Sequence, residues 1–224
     1  MAGHFIGTAM SAVDPPSSSP LAASILRKKD LDPDPICQFR KWLDEAVAAG
    51  VHLPEAMTLA TTTADGQPSA RTVLLRNCDE RGFVFFTNYQ SRKGRELTGN
   101  PRAALVFFWE PLERQVLVEG RVEKSTAAES DAYYDSRPRG SRLGAWASPQ
   151  GQVLASREML DERVKQVEAQ YANQEQVPRP PYWGGFRVLP TTMEFWQGQP
   201  SRLHDRIRYR RGEDGGWVME RLAP

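Results

Sequence analysis

Basic residues gather at four places in this chain, and each grouping is spaced to act on an anion. In Ser69-Ala70-Arg71-Thr72-Val73-Leu74-Leu75-Arg76, strand alternation places Arg71 on one face and Arg76 on the other. Ser91-Arg92-Lys93 opens a short helical stretch. Cations there oppose the helix dipole, and a dianion resting on the free N–H groups of the first turn would explain them. Tyr133, Arg137, Arg139, Ser141 and Arg142 surround a break at Pro138; this set fits a second anion seat or a solvated helix end, and alone it reads as the latter. In Arg202-Leu203-His204-Asp205-Arg206-Ile207-Arg208-Tyr209, alternation lines up Arg202, His204, Arg206 and Arg208, with Leu203, Ile207 and Tyr209 opposite. Such a row repels itself in water but suits a polyanionic ligand, and its histidine can exchange a proton near neutrality. A basic edge strand that blocks sheet pairing explains it equally well.

Just upstream, Met193-Glu194-Phe195-Trp196-Gln197-Gly198-Gln199 sets a large aromatic among amides, suited to walling a planar ring or to plain core. Gln115 and Gln150 read as ordinary surface amides. Two basic sets with aromatics nearby point to two phosphorylated ligands carrying planar rings. Other chemistries are excluded. There is no Gly-x-Gly-x-x-Gly, Gly-x-x-x-x-Gly-Lys, His-Glu-x-x-His or Gly-x-Ser-x-Gly segment. Three histidines and two cysteines without a Cys-x-x-Cys pair leave no set for a resident metal.

The elements that must hold these groups follow from the rest of the 224 residues, enough for one large domain. With 29 Lys and Arg against 28 Asp and Glu, the net charge is +1, so no global field favours nucleic acid or an anionic membrane. No apolar run reaches membrane-span length. The first 22 residues contain no Lys or Arg, which suits neither a secretory signal nor a transit peptide. A disordered tail over 1–26 and a cytoplasmic location are therefore expected, with Arg27-Lys28-Lys29 as a solvated charge run. Asp34-Pro35 caps a helix carrying Ile36, Phe39, Leu43, Ala46 and Val47 to Gly50. Strands are predicted over Ala56–Thr62, Ser69–Arg76, Phe83–Asn88, Arg102–Glu110 and Arg114–Glu123, with a turn at Asp79–Gly82. A helix covers Thr126–Ser136. Another covers Ser156–Gln174, with Met159, Leu160, Val164, Val167 and Tyr171 as a core stripe. Strand character returns over Gly185–Leu189, Met193–Trp196, Leu203–Arg210 and Trp217–Arg221. Hairpin-length links predict an α+β fold, an antiparallel barrel over 27–224 with helices packed outside.

Eight segments occur in an order known from one family: Arg71-Thr72-Val73-Leu74-Leu75; Phe86-Thr87-Asn88 with Ser91-Arg92-Lys93-Gly94; Glu110-Pro111-Leu112-Glu113-Arg114-Gln115-Val116; Ser136-Arg137-Pro138; Trp183-Gly184-Gly185; Glu194-Phe195-Trp196-Gln197-Gly198; Arg202-Leu203-His204-Asp205-Arg206; and Glu220-Arg221-Leu222-Ala223-Pro224. Over residues 35–224 the chain resembles the pyridoxine (pyridoxamine) 5′-phosphate oxidases. The resemblance implies an FMN-binding split β-barrel and a homodimer with FMN at the interface. It implies oxidation of pyridoxine 5′-phosphate or pyridoxamine 5′-phosphate to pyridoxal 5′-phosphate, the last step of vitamin B6 cofactor synthesis and salvage. Hydride would pass from substrate C4′ to FMN, and oxygen would take the electrons to give hydrogen peroxide. On this resemblance FMN contacts Arg71, Thr72, Val73, Leu74, Phe86 and Thr87, its phosphate is held by Arg92 and Lys93, and Gln115, Gln150, Gly151, Trp196 and Arg206 complete the site. Arg76, Tyr133, Arg137 and Ser141 meet the substrate phosphate. Arg202, Leu203 and His204 lie over the substrate ring, with Arg202 and His204 catalytic. Two positions depart from the family pattern: Arg76 stands where Lys is common, and Gly151 where Ser is common, leaving a backbone contact. A phenazine-pathway oxidase, a flavin or pyridoxal-phosphate carrier and a nucleic-acid-binding barrel are the competing readings. The substrate motif at Arg202–His204 and the small net charge weigh against them.

Overall fold

The computed structural model describes residues 25–224; the expected tail lies outside them up to residue 24. The first helix, α1 (Pro35–Ala48), starts as its sequence dictates, with the Asp34 carboxylate accepting the Ile36 N–H and Pro35 in the first turn. Strands β1 (Ala56–Thr62), β2 (Pro68–Leu74), β3 (Asn77–Asp79) and β4 (Gly82–Asn88) follow, then α2 (Arg92–Gly99), β5 (Arg102–Trp109) and β6 (Arg114–Lys124). Helices α3 (Ala127–Ser136), α4 (Arg139–Ala147) and α5 (Arg157–Gln170) separate these from β7 (Trp183–Gln197), β8 (Asp205–Arg211) and β9 (Trp217–Leu222).

All pairings are antiparallel, in the order β2-β1-β5-β6-β7-β4-β3, with β8 and β9 continuing from β7. The two ends of that order, β2 and β3, are joined by only Leu75 and Arg76. Two residues span roughly 10 Å at most, so the sheet must curl until its edges meet. Strand β7 shows why the barrel is split. Along one edge it pairs with β6 from Phe186 to Gln197; along the other, Trp183–Val188 pairs with β4 and Thr192–Gln197 with β8. The protein is therefore an α+β split β-barrel, with helices on its outside.

Alternation fills the barrel with Leu59, Phe83, Phe85, Leu105, Phe107, Val116, Val118, Val188, Met193 and Phe195. Helix α1 closes one end, placing the Phe39 ring 4.8 Å from both Phe83 and Phe107, and Trp42 5.1 Å edge-on to Phe195. The segment before α1 is tied to the last strands. The Leu26 N–H donates to Asp205 at 3.0 Å, Lys28 Nζ to the Met219 carbonyl at 2.8 Å, and the Tyr209 hydroxyl to the Asp32 carbonyl at 2.7 Å.

Several expectations are corrected. Gly185–Leu189 and Met193–Trp196 form one strand, β7, with a register shift at Glu119/Gly120 opposite Pro190 absorbing the proline. Strand β2 stops at Leu74, so alternation does not carry through to Arg76. The α5 stripe is not core: no residue of α5 is buried and Met159 is 43% exposed, although Tyr171, just beyond it, is buried with Leu143 and Val177. Arg202, Leu203 and His204 precede β8, in a turn where Ser201 and Arg202 have φ of 58° and 59°; Leu203 is 69% exposed and does not share a face with Ile207 and Tyr209. No described helix is long and apolar enough to cross a membrane.

Candidate active site

A cleft of about 530 Å³ opens where the barrel edges meet, within the ~300–1,000 Å³ typical of ligand sites. Strand β2 gives it Arg71, Thr72, Val73 and Leu74, and the seam residue Arg76 joins them. Arg71 and Arg76, expected on opposite faces, thus line one cleft, because the chain turns out of β2 between them. Strand β4 adds Phe86 and Thr87, and α2 adds Lys93. On the far side stand Tyr133, Arg137, Ser141 and Trp183, with Gln150 over the α2 end.

The α2 end is a cationic seat. The Ser91 hydroxyl caps the helix by accepting the Gly94 N–H at 3.3 Å. Glycine is required at position 94, since a Cβ there would lie 2.2 Å from the Tyr89 carbonyl oxygen. Lys93 Nζ donates to Gln150 Oε1 at 3.1 Å and Thr87 Oγ1 at 3.3 Å, and the Thr87 hydroxyl donates to Gln150 Oε1 at 3.0 Å. Burial and then the nearby Arg71 charge lower the Lys93 pKa, a strain an anion would relieve. Gly151 takes φ +82°, and a Cβ there would lie 3.5 Å from the Arg92 backbone nitrogen. The Arg92 side chain is 57% exposed and stands outside the cleft lining.

At the other end three aromatic rings run parallel. Phe86 stacks on Tyr133 at 4.0 Å and on Trp183 at 5.5 Å. The Arg137 guanidinium lies 4.8 Å over the Trp183 ring and that of Arg76 lies 6.0 Å from Tyr133. Arg137 Nη1 is buried and has no hydrogen-bond partner. Burial lowers the Arg137 pKa, and Arg76 adds to the effect. An unpaired buried donor costs about 1–3 kcal/mol, so this guanidinium is built for an acceptor.

The remaining candidates form a second cluster. Gln115 faces Trp196 across β6 and β7, and Trp196 faces Arg206 across β7 and β8. The His204 ring lies 4.6 Å from Trp196, and its Nδ1 accepts the Gln199 backbone N–H at 3.1 Å. Glu194 accepts two bonds from Arg206, at 2.7 and 3.0 Å, and raises its pKa. None of Gln115, Trp196, Arg202, Leu203, His204 or Arg206 lines the cleft. Phe86 pairs with Gly185 at the β4 end of β7, eleven positions from Trp196 at the β8 end, or roughly 35 Å of extended strand. One chain does not bring the two groups together.

Trp183 and Glu96 escaped the sequence reading. Trp183 belongs to the family motif Trp183-Gly184-Gly185 but carries no charge to mark it as an anion-site residue; Glu96 looks like an ordinary partner for Arg92 one turn away. Among the described residues no group of His, Cys, Asp or Glu is placed to hold a metal ion.

Comparison with known proteins gives the family. The family described as "Pyridoxamine 5′-phosphate oxidase" matches residues 43–171, and "Pyridoxine 5′-phosphate oxidase C-terminal dimerisation region" matches residues 183–224. The second match covers β7 to β9, a stretch that carries every member of the separated cluster except Gln115. A pyridoxine/pyridoxamine 5′-phosphate oxidase of Bordetella petrii is 61% identical over 190 residues, 85% of this chain and 89% of its own. One from Cupriavidus pinatubonensis is 59% identical over 199 residues, 89% and 93% of the two chains. The crystal structure of PhzG from Burkholderia lata 383, in complex with tetrahydrophenazine-1-carboxylic acid, superposes with a TM-score of 0.84 at 33% identity, covering 91% of this chain and 100% of that one. On these grounds the chain belongs to the pyridoxine/pyridoxamine 5′-phosphate oxidase family.

Proposed function

We propose that the protein is an FMN-dependent oxidase that converts pyridoxine 5′-phosphate or pyridoxamine 5′-phosphate to pyridoxal 5′-phosphate, acting as a homodimer. The observation that carries this reading is the cleft itself. It has two cationic ends, Lys93 with Arg71 and Arg137 with Arg76, separated by stacked aromatic surface. The residues fit FMN: a cationic phosphate seat at α2, the β2 backbone alongside it, and the Gln150 amide facing Lys93.

In this arrangement Arg71, Arg92 and Lys93 hold the FMN phosphate, and Thr72, Val73, Leu74, Phe86, Thr87, Gln150 and Gly151 border the flavin. Arg137, Arg76, Ser141 and Tyr133 hold the substrate phosphate, satisfying the unpaired Arg137 Nη1. The Gln115, Trp196 and Arg206 cluster of a second copy completes the flavin site, and its Arg202, Leu203 and His204 cover the substrate ring. When bound, FMN would supply the two-electron acceptor for the C4′ carbon, with oxygen as the terminal oxidant reduced to hydrogen peroxide. Holding the substrate at both ends fixes C4′ in position, which is where most of the protein's rate contribution lies. Because His204 Nδ1 accepts a backbone N–H, its neutral ring keeps the proton on Nε2 and offers a donor to the substrate. Arg202, a permanent cation, stabilises negative charge on the substrate oxygen. We place the enzyme in the cytoplasm, in keeping with its two unpaired cysteines, Cys37 and Cys78.

Anaerobic mixing of the FMN-loaded protein with pyridoxine 5′-phosphate tests the reading. The visible flavin band should bleach, then recover when air is admitted, with pyridoxal 5′-phosphate formed. A band that stays unbleached with either B6 phosphate refutes the oxidase.

A further inference from the structure

A carboxylate lies at the heart of the cationic seat, where it offsets part of the charge an incoming anion would meet. Glu96, on α2, is 6% exposed and accepts four hydrogen bonds. Its Oε1 takes the Arg92 Nε–H at 2.8 Å. Its Oε2 takes the Thr61 hydroxyl at 2.5 Å, the Ser69 hydroxyl at 2.7 Å and Arg71 Nη2 at 3.1 Å. One side chain therefore ties β1, β2 and the first turn of α2 together. The same hydroxyls grip Arg71 a second time: Nη1 donates to Thr61 Oγ1 and Nη2 to Ser69 Oγ, each at 2.5 Å. Arg92 is held through Nε, so both its terminal nitrogens stay available.

We propose that Glu96 is the positioning residue of the FMN-phosphate seat, holding Arg71 and Arg92 in a fixed relation before the anion arrives. The proposal rests on the assignment of Arg71, Arg92 and Lys93 to that phosphate. Burial by itself would raise the Glu96 pKa, but the two hydroxyls and two guanidinium groups outweigh it and hold it down to about 2. The clamp is thus charged throughout the working range. Three cations and one carboxylate leave two net positive charges, a match for a phosphate dianion. Order is the second gain. Arg92 is mostly exposed, and an arginine free to explore its rotamers loses that freedom on binding; one already held loses little.

Charge and order act in opposite directions here, so the sign of one measurement separates them. If Glu96 were only a counter-charge, removing it would strengthen the positive field and tighten phosphate binding. If it positions the arginines, removing it weakens that binding. The test titrates apo-protein with FMN and with riboflavin, which lacks the phosphate, reading the quenching of flavin fluorescence. Wild type, Glu96→Gln and Glu96→Asp are compared. In both variants the FMN Kd should rise roughly tenfold or more, while the riboflavin Kd stays within about twofold. Glu96→Asp keeps the charge and withdraws the reach, and it carries the test if Glu96→Gln does not fold. An unchanged or tighter FMN Kd overturns the proposal. So does equal weakening of FMN and riboflavin, the mark of general damage to the cleft. A wild type that holds riboflavin as tightly as FMN overturns the phosphate seat itself, and the proposal falls with it.

Discussion

Replacing Arg137 by methionine separates the cost of this side chain to the fold from its value to the substrate. Its Nη1 is buried without a partner, which costs about 1–3 kcal/mol in the free protein. Against that stands its contact with the Trp183 ring at 4.8 Å, worth about 0.5–2 kcal/mol. Methionine keeps the apolar stem and removes both effects. The balance is within about 1 kcal/mol of zero, so Tm should move by no more than about 4 °C, and upward if the orphaned donor dominates. The substrate loses one or two charge-assisted bonds to its phosphate, about 3 kcal/mol, which raises KM for pyridoxine 5′-phosphate roughly a hundredfold. Unphosphorylated pyridoxine never made those bonds, so its kcat/KM should hardly change. Steady-state hydrogen peroxide release with both substrates, beside a thermal melt of each protein, gives the answer. Equal losses with both substrates would refute the phosphate assignment. A Tm fall of more than about 6 °C would refute the reading of Nη1 as a burden on the fold.

If each active site is assembled from two chains, a mixed dimer of Arg137→Met and Arg202→Leu, purified through two different tags, retains one intact site and about half the wild-type rate. Were each site built within one chain, that dimer would, with substrate near the wild-type KM, be as slow as its parents. Burial pushes the Cys78 thiol up to about 12, whereas Cys37 is exposed on α1, so iodoacetamide at pH 8 should modify one of the two cysteines in the native protein and both after unfolding. Glu129 is held down to about 2, first by the Thr126 backbone N–H and then by the Arg81 side chain. Its stabilisation is fully present above the ordinary glutamate value of 4.5 and fades as pH falls toward 2, so Tm measured across that window should drop less steeply in Glu129→Gln than in wild type.

Features resting on a few adjacent residues were legible without the structure. The Asp34-Pro35 helix start and the cations opening α2 are local facts, and both appear as expected. Features that depend on where a strand ends were not. Alternation separated Arg71 from Arg76, yet the strand stops at Leu74 and the seam turns Arg76 back into the same cleft. It aligned Arg202 and His204 with Arg206, yet the chain is a tight turn until Asp205. Helix α4 carries Gly140 and Gly144, both poor helix formers, and follows a proline. Tertiary contacts override that composition: Leu143 is buried with Tyr171 and Val177, and the Tyr134 hydroxyl donates to the Arg142 carbonyl. The α5 stripe has helical spacing, but only its end, Val167 and Tyr171, meets the Leu143 and Val177 cluster, while Met159 stays exposed. Periodicity reports which side is apolar, and only the assembled fold shows what that side meets. The family motifs supplied what local rules lacked, offering two groups of candidate residues that a single chain keeps apart.

The ties between the segment before α1 and the last two strands also set a timetable for folding. Leu26 and Asp32 reach Asp205 and Tyr209 across 179 and 177 positions of chain. During synthesis the segment before α1 leaves the ribosome long before the strands it leans on are made. Loop-closure entropy for such distant pairings is met only late, which favours slow folding with a period in which the barrel lacks β8 and β9. The buried side chains of Ile207 and Tyr209 belong to that same late stretch. Nascent chains stalled before residue 205 should therefore be long-lived clients of chaperones, and a premature stop near the carboxyl terminus should be more damaging than its few missing residues suggest.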